Sequence, residues 1–355
     1  MLISMNFVAT FTAESLSAFA VDILLRLDVP KEKAELVAAS LVASNLRGVD
    51  SHGMQLLPSY AEQISRGNIL PRAEGRVLSE SGACMSYDGE HGIGQVIAAT
   101  CADHAVRICR AHGISMVTAR ESSHYGAAAF WAQRIAAHGF IGITMCNASP
   151  LVAPWQGKEP RLGTNPLCMA LPGPRIWLLD MATTTVALNK IRNASQAGKD
   201  TIPEGWAMDS QGKPTTDTAT ALHGLLMPLG GYKGSGLAMM VDILCAVLGG
   251  GVMSADVGSV HNLNRPMRTS QMFLAIDVAR FLPADEFVGR MKRLAQAAKS
   301  SAPAAGFDEV LIAGEPEWRE EARRKQNGIP ITAGAWELLV NVARKLGVAL
   351  PSPSS

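Results

Sequence analysis

Two stretches of the chain place a histidine directly after a serine, with a glycine close behind: His52 in "RGVDSHG" and His124 in "ESSHYGAAAF". An imidazole titrates near pH 6.5 when unperturbed, so it suits proton exchange at working pH. The preceding serines, Ser51 and Ser123, equally suit the first position of a helix, where a hydroxyl accepts from a free backbone N–H. Pattern alone therefore leaves two readings open: two walls of one acid–base site, or two unrelated helix caps. A third stretch, "PLGGYKGSGLAMM", sets glycines and Lys233 at the mouth of an apolar helix. Unpaired N–H groups and an ammonium there would attract an anion, although a flexible turn reads the same way. "LGTNP" and "LDMATTT" crowd polar residues at the ends of apolar strands, where ligands and ordinary turns both occur.

Several familiar chemistries are absent. "GEHGIGQVI" has Ile97 where a G-x-G-x-x-G fingerprint needs its third glycine, and "GYKGSGLAM" has Met239. Neither supports Rossmann-type dinucleotide binding, and the second lacks P-loop spacing. No H-E-x-x-H appears, the eight histidines are not at zinc-ligand spacing, and Ser235 stands in no G-x-S-x-G elbow. No metal is expected.

The elements that must hold these residues follow from periodicity. Leu16, Phe19, Ala20, Ile23, Leu24 and Leu27 recur on one helical face. "DVP" interrupts, because the residue before Pro30 disfavours helix, and an alanine-rich helix then runs from about Lys31 to Leu46, just ahead of His52. From residue 81 the chain reads strand, glycine-rich turn, helix, strand, helix and strand, the second helix closing at Gly139. Shorter strands are expected in "PLCMALPG", "IWLLDMATTT" and "QMFLAIDV", and a helical tail over about 284–348 with breaks at "SAPAAG" and "NGIPITAG". The expected class is α/β, leaning to α+β, because the proline-bounded strands around 141–183 do not make regular βαβ units.

Composition narrows the partners. With 32 basic and 31 acidic side chains there is no electrostatic case for nucleic acid or an anionic membrane, so a small-molecule substrate is expected. The six cysteines lack C-x-x-C spacing and lie in apolar runs, which points to reduced, buried thiols. No basic leader and no run long enough to span a bilayer is evident, and a cytoplasmic location is expected.

Taken together, "RGVDSHG", "SSHYGAA", "APWQGKEPRLGTNP", "LDMATT", "IPEGWAMDSQGKPTTD" and "PLGGYKGSGLAMMVD" resemble the malate/L-lactate dehydrogenase family of NAD(P)-dependent oxidoreductases, from about Leu16 to Leu346. The resemblance implies a non-Rossmann cofactor domain with a largely antiparallel sheet (116–284) and a small α/β segment (73–115). It also implies a helical domain from both chain ends (1–72 with 285–355) and a homodimer. The expected reaction is hydride transfer between NAD or NADP and a small 2-hydroxy/2-oxo acid, with His52 or His124 as the acid–base residue. It places Ser51, Arg47, Thr164 and Asn165 at the substrate, and Ser123, Asn147, Thr164, Asp180, Met181, Ala182, Lys233 and Gly234 at the cofactor. A reductase of a cyclic imine carboxylate, and an inactive metabolite-binding homologue, are the alternatives. One departure bears on substrate: relatives carry an arginine two variable residues after "SHG" to grip a carboxylate, and this chain has Leu56. A leucine cannot replace a bidentate guanidinium, which leaves Arg47 as the nearest cation in sequence or a different substrate.

Overall fold

The computed structural model describes residues 7–354, apart from the side chains of Phe7 and Gln196. Near the N-terminus two helices form where the apolar periodicity places them, Ala13–Leu25 and Lys31–Leu46. Thr12 caps the first by accepting from the Ser15 amide at 3.0 Å, and Pro30 sets the start of the second. The next turns, Asp50–His52 and Met54–Leu56, lead into a short helix, Leu57–Ser65.

A seven-stranded sheet forms the centre, in the order Arg76–Ser81, Cys84–Asp88, Ile114–Ser122, Thr269–Asp277, Phe140–Cys146, Leu167–Ala170, Leu178–Met181. Every neighbouring pair is antiparallel except Cys84–Asp88 with Ile114–Ser122, so the sheet is mostly antiparallel. That parallel pair is joined by the helix Gly94–His112, which ends where Gly113 takes φ 84°. Helix Ala128–Ala136 packs on the same face, burying Trp131 against Phe273 and Ala275. The alternate residue, Met272, turns to the opposite face and meets Val241 and Cys245. Both faces are thus covered, which explains the unbroken apolar run in the central strand.

A second apolar cluster draws on both chain ends, with Phe11, Leu16, Leu41 and Leu57 packed beside Ile329, Ile331 and Leu339. A buried ion pair fastens the ends together: Arg324, on the helix Glu315–Asn327, donates from Nη1 and Nη2 to both Asp50 oxygens at 2.6 and 2.9 Å. The sequence at "NGIPITAG" was expected to be a plain break. It instead holds a strand, Ile329–Thr332, antiparallel to Phe7–Phe11. Pro330 is tolerated because the pair is an isolated two-stranded edge. Helix Ala284–Lys299 buries no residue, so the C-terminal contribution to this cluster begins beyond it. The cysteines are all unpaired, five of them buried, while Cys84 at a strand edge is exposed, contrary to expectation.

Candidate active site

His52 and His124 face each other, with ring centroids 5.6 Å apart and planes inclined by 28°. They come from different layers, His52 from the turn after the second helix and His124 from the loop that leaves the strand Ile114–Ser122. Each loop is held by a dense set of bonds. Asn45, buried in the helix before His52, donates to Asp50 and accepts from the Met54 amide at 2.7 Å, clamping both sides of the turn. A Cβ at Gly53 would overlap that same amide, so only glycine fits there.

The loop of His124 lies against the start of helix Gly94–His112. A Cβ on Gly94 would collide with the carbonyl oxygens of Ser123 and His124. The glycines of "GEHGIGQVI", unfit as a dinucleotide fingerprint, thus include one that lets the His124 loop approach. Ser123 turns out to be a helix cap, but for a neighbouring helix: its hydroxyl accepts from the Gly94 amide at 2.7 Å and donates to the Gly92 carbonyl at 3.1 Å. With Ser123 buried and both roles of its hydroxyl taken, it shapes the site from behind. Ser51 instead faces the histidines, with its Oγ 2.9 Å from His52 Nδ1.

Tyr60, one turn into the helix after His52, was not singled out in the sequence, yet it is a direct partner of His124. Its hydroxyl donates to His124 Nδ1 at 2.7 Å, and the Gly126 amide approaches the same nitrogen at 3.2 Å. A backbone N–H can only donate, so Nδ1 is the unprotonated nitrogen and the neutral ring carries its proton on Nε2. Burial holds Tyr60 far above the usual phenol range, so it stays a phenol. The buried Gln95 amide, whose Nε2 has no hydrogen-bond partner, bears on the same tyrosine oxygen. The spacing "SHG…PSY" was the available signal, because an eight-residue step from His52 returns the tyrosine to the same side.

Both imidazoles are held neutral. Burial lowers His52 to about 4. Burial also lowers His124, to about 3, with the neighbouring charges of His52 and His261 acting in the same direction. The expectation that a helix dipole would disfavour the charged form therefore needs correction: His124 precedes helix Ala128–Ala136 by a short loop, and loss of solvent is the principal cause.

The predicted cofactor residues gather in a second cluster. Thr183 donates to the Thr164 carbonyl at 2.9 Å, and the Leu229 amide donates to the Thr183 carbonyl at 3.0 Å, so "LGTNP", "LDMATT" and "PLGGYKG" meet. Gly234 packs so closely that a Cβ would overlap the Leu229 and Thr183 backbones. Gly230 and Gly231 take φ 57° and 67°, and helix Tyr232–Asp242 starts with no side-chain cap. Lys233 stands exposed on its first turn and makes no ion pair among the described residues. Asp180 is half-buried and accepts from the Ala129 amide at 2.9 Å, at the N-terminus of the helix that follows His124. Its carboxyl is pushed up by burial, against the lowering effects of that amide and of Arg47. Met181 and Ala182 follow it at the strand end, both half-buried.

Asn147 and Asn165 are fully buried, and the scaffold consumes their amides. Both donate to Asp242, at 3.3 and 2.9 Å, while their oxygens accept from the Ser270 and Ala148 amides. Arg47 is buried with its Nε unpartnered, and its charge acts on Asp180 and Cys168, away from the histidine pair. Leu56 is 5% exposed and packs in the helical cluster, outside the space between the rings. Among the described residues no group of acidic, histidine or cysteine side chains could hold a metal.

Comparison with known proteins gives this geometry a setting. Residues 11–340 match the family described as malate/L-lactate dehydrogenase. A malate dehydrogenase from Pyrococcus horikoshii is 38% identical over 344 residues, covering 94% of this chain and 95% of the relative. A solved structure of sulfolactate dehydrogenase from Methanocaldococcus jannaschii superposes with a TM-score of 0.90 at 35% identity, covering 96% of this chain and 98% of the other. A Δ1-piperideine-2-carboxylate reductase from Pseudomonas syringae superposes with a TM-score of 0.80 at 27% identity, over 94% and 99% of the two chains.

Proposed function

Since the chain belongs to the malate/L-lactate dehydrogenase family and is an oxidoreductase of a 2-hydroxy acid, we propose that it works with NAD(H) or NADP(H) in a non-Rossmann sheet domain and uses the His52–His124 pair for the proton. The observation that carries this reading is the apposition of two neutral imidazoles, one of them fixed in its tautomer by Tyr60 and Gly126.

The chain's own residues fit a dinucleotide. An uncapped helix N-terminus behind two positive-φ glycines, with the unpaired Lys233 on it, suits a phosphate, and the free face of Asp180 suits a ribose hydroxyl. Thr164, Met181, Ala182 and Gly234 line the ground between these two. When bound, a nicotinamide supplies or removes the hydride at the carbon bearing the oxygen. His124 then donates from Nε2 to that oxygen, where negative charge would otherwise build up as alkoxide. With its Nδ1 held by two donors, this ring takes no second proton there. The net proton passes through His52, whose Nδ1 is free to share one with Ser51.

The substrate is a small 2-oxo or 2-hydroxy acid, held near Ser51 and Thr164. A second reading, reduction of a cyclic imine carboxylate, is favoured by one observation: Leu56 faces the core where the family pattern has an arginine, and a reductase of that type shares the fold. Oxidation of NADH and of NADPH, followed by absorbance with pyruvate, oxaloacetate, a longer 2-oxo acid and a cyclic imine carboxylate, separates the two. No turnover and no cofactor binding would end both.

The same reading makes the protein a cytoplasmic homodimer. No helix among the described residues is long and apolar enough to cross a membrane. Met239, Ile243 and Val247 form a stripe on the helix behind Lys233, 51, 50 and 54% exposed, and such a stripe is suited to burial between subunits.

A further inference from the structure

We infer that His261, with Arg192 behind it, is the carboxylate-recognition group of this site; the inference rests on the reading of the site as one for a 2-oxo or 2-hydroxy acid. The segment Gly258–Met267 is a closed, compact loop, with the Gly258 amide donating to the Met267 carbonyl at 2.7 Å. Arg265 ties its base by donating to the Ala255 carbonyl at 2.7 Å, and Val260 and Met267 anchor it in the helical core. Its tip is fastened to the helix Leu57–Ser65. Gln63, buried to 1% exposure, donates from one amide nitrogen toward the carbonyls of Val260 and Asn262 at 3.0 Å each and toward that of Ser259 at 3.3 Å. Asn68 adds a bond to the Leu263 carbonyl at 2.8 Å.

So many bonds on one short loop serve to present His261. The ring is 3.2 Å from Ser59 Oγ through Nδ1, and Ser59 is the neighbour of Tyr60, which holds His124. With the serine hydroxyl donating, the neutral imidazole keeps its proton on Nε2, a donor available to an anion at the mouth of the site. The loop and the histidine pair are electrically in touch: His261 acts on His124, and Arg192 acts on His261. No carboxylate acts on any of the three histidines. Three imidazoles and a guanidinium without an acidic partner form a site that an anion completes. Arg47 does not serve here, since its charge is directed at Asp180, and position 56 is a leucine in the core. A substrate carboxylate would therefore be gripped by an imidazole N–H and a distant guanidinium, a softer hold than a bidentate arginine.

The test uses oxalate, a two-carboxylate mimic of a 2-oxo acid, and the full-length protein loaded with NADH. Oxalate should raise the melting temperature of the wild-type complex. His261→Ala should weaken that response by about 10- to 100-fold in oxalate concentration, the range for losing a hydrogen bond to a charged group. His261→Gln, whose amide nitrogen lies close to where Nε2 was, should restore part of it, and Arg192→Ala should weaken it about 3-fold. For a 2-oxo acid that is turned over, His261→Ala should raise KM with little change in kcat, and should abolish the preference for pyruvate over pyruvamide. Equal oxalate responses in wild type and His261→Ala, or none in either, would overturn the inference. Failure to bind NADH at all would instead remove the functional reading beneath it. A His261→Ala protein with a lowered melting temperature before oxalate is added is judged on His261→Gln.

Discussion

The two buried imidazoles must make the protein sensitive to acid in a calculable way. In the unfolded chain each histidine titrates near 6.5, whereas in the fold His52 titrates at about 4 and His124 at about 3. The folded values are the depressed ones, so between them and 6.5 the unfolded state binds more protons, and stability falls as pH falls. Above about pH 6.5 the effect vanishes, because neither state is protonated. At about pH 5 an unfolded imidazole is almost fully charged and a folded one almost fully neutral, which costs about 2 kcal/mol per ring. The two costs add, since neither ring is charged in the native state at that pH, giving about 4 kcal/mol for the pair. Urea unfolding of wild type and of a His52→Gln, His124→Gln double variant, at about pH 7.5 and about pH 5, isolates this quantity. The other histidines titrate in both proteins and cancel. Wild type should lose about 4 kcal/mol more than the double variant on acidification. Equal losses in the two proteins would mean that the rings are solvated or paired with an acid, and the proposed neutral pair would fall with them.

Removing the Tyr60 hydroxyl (Tyr60→Phe) deletes one of the two bonds that fix the His124 tautomer, a loss of about 0.5–1.5 kcal/mol. Turnover should fall about 2- to 12-fold with KM nearly unchanged, as read by steady-state kinetics. Lys233→Ala should raise the NADH dissociation constant about 10-fold or more by fluorescence titration. It should leave the melting temperature alone, because the side chain is exposed and makes no ion pair among the described residues. Gly94→Ala drives a methyl into the carbonyls beneath His124. It should reduce turnover by at least an order of magnitude, against a retained NADH affinity measured in the same titration.

What the sequence made legible was what local rules govern. The helices before His52 showed in their apolar period and the break at Pro30, and the strand–helix–strand order around His124 showed in alternation and in Gly139. The pairing of His52 with His124 became readable only from six blocks together, because nothing local to either histidine encodes a partner on another layer. Other parts stayed hidden for the same reason. Ser123 looks like a cap for its own segment and caps the helix at Gly94 instead. Asn165 looks like a ligand residue at a strand end, and its amide is spent on Asp242 and on backbone far along the chain. The strand Ile329–Thr332 was obscured by glycine and proline, which an isolated edge pair accommodates.

The architecture explains why the site sits where it does. A proton relay of neutral imidazoles needs two rings that are dry but independently anchored, so that neither can swing to solvent when its partner exchanges a proton. One layer cannot provide both anchors. The helical cluster supplies the first, through Asn45, Asp50 and the buried Arg324, 7% exposed at its side chain. The sheet supplies the second, through Ser123, Gly94 and the bond from Thr269 Oγ1 to the Ser123 carbonyl at 2.9 Å. Tyr60 then crosses the seam, anchored in the helical layer and bonded to a histidine of the sheet layer. Arg324 is the far end of that chain of support. Truncating it strands Asp50 without its cation, a loss of about 3–5 kcal/mol for a buried pair. Because Asp50 stands two residues before His52, the same change loosens the first ring while leaving the second in place. Activity would then be lost through His52 alone, with NADH affinity intact, which is the result expected if the two anchors are separate.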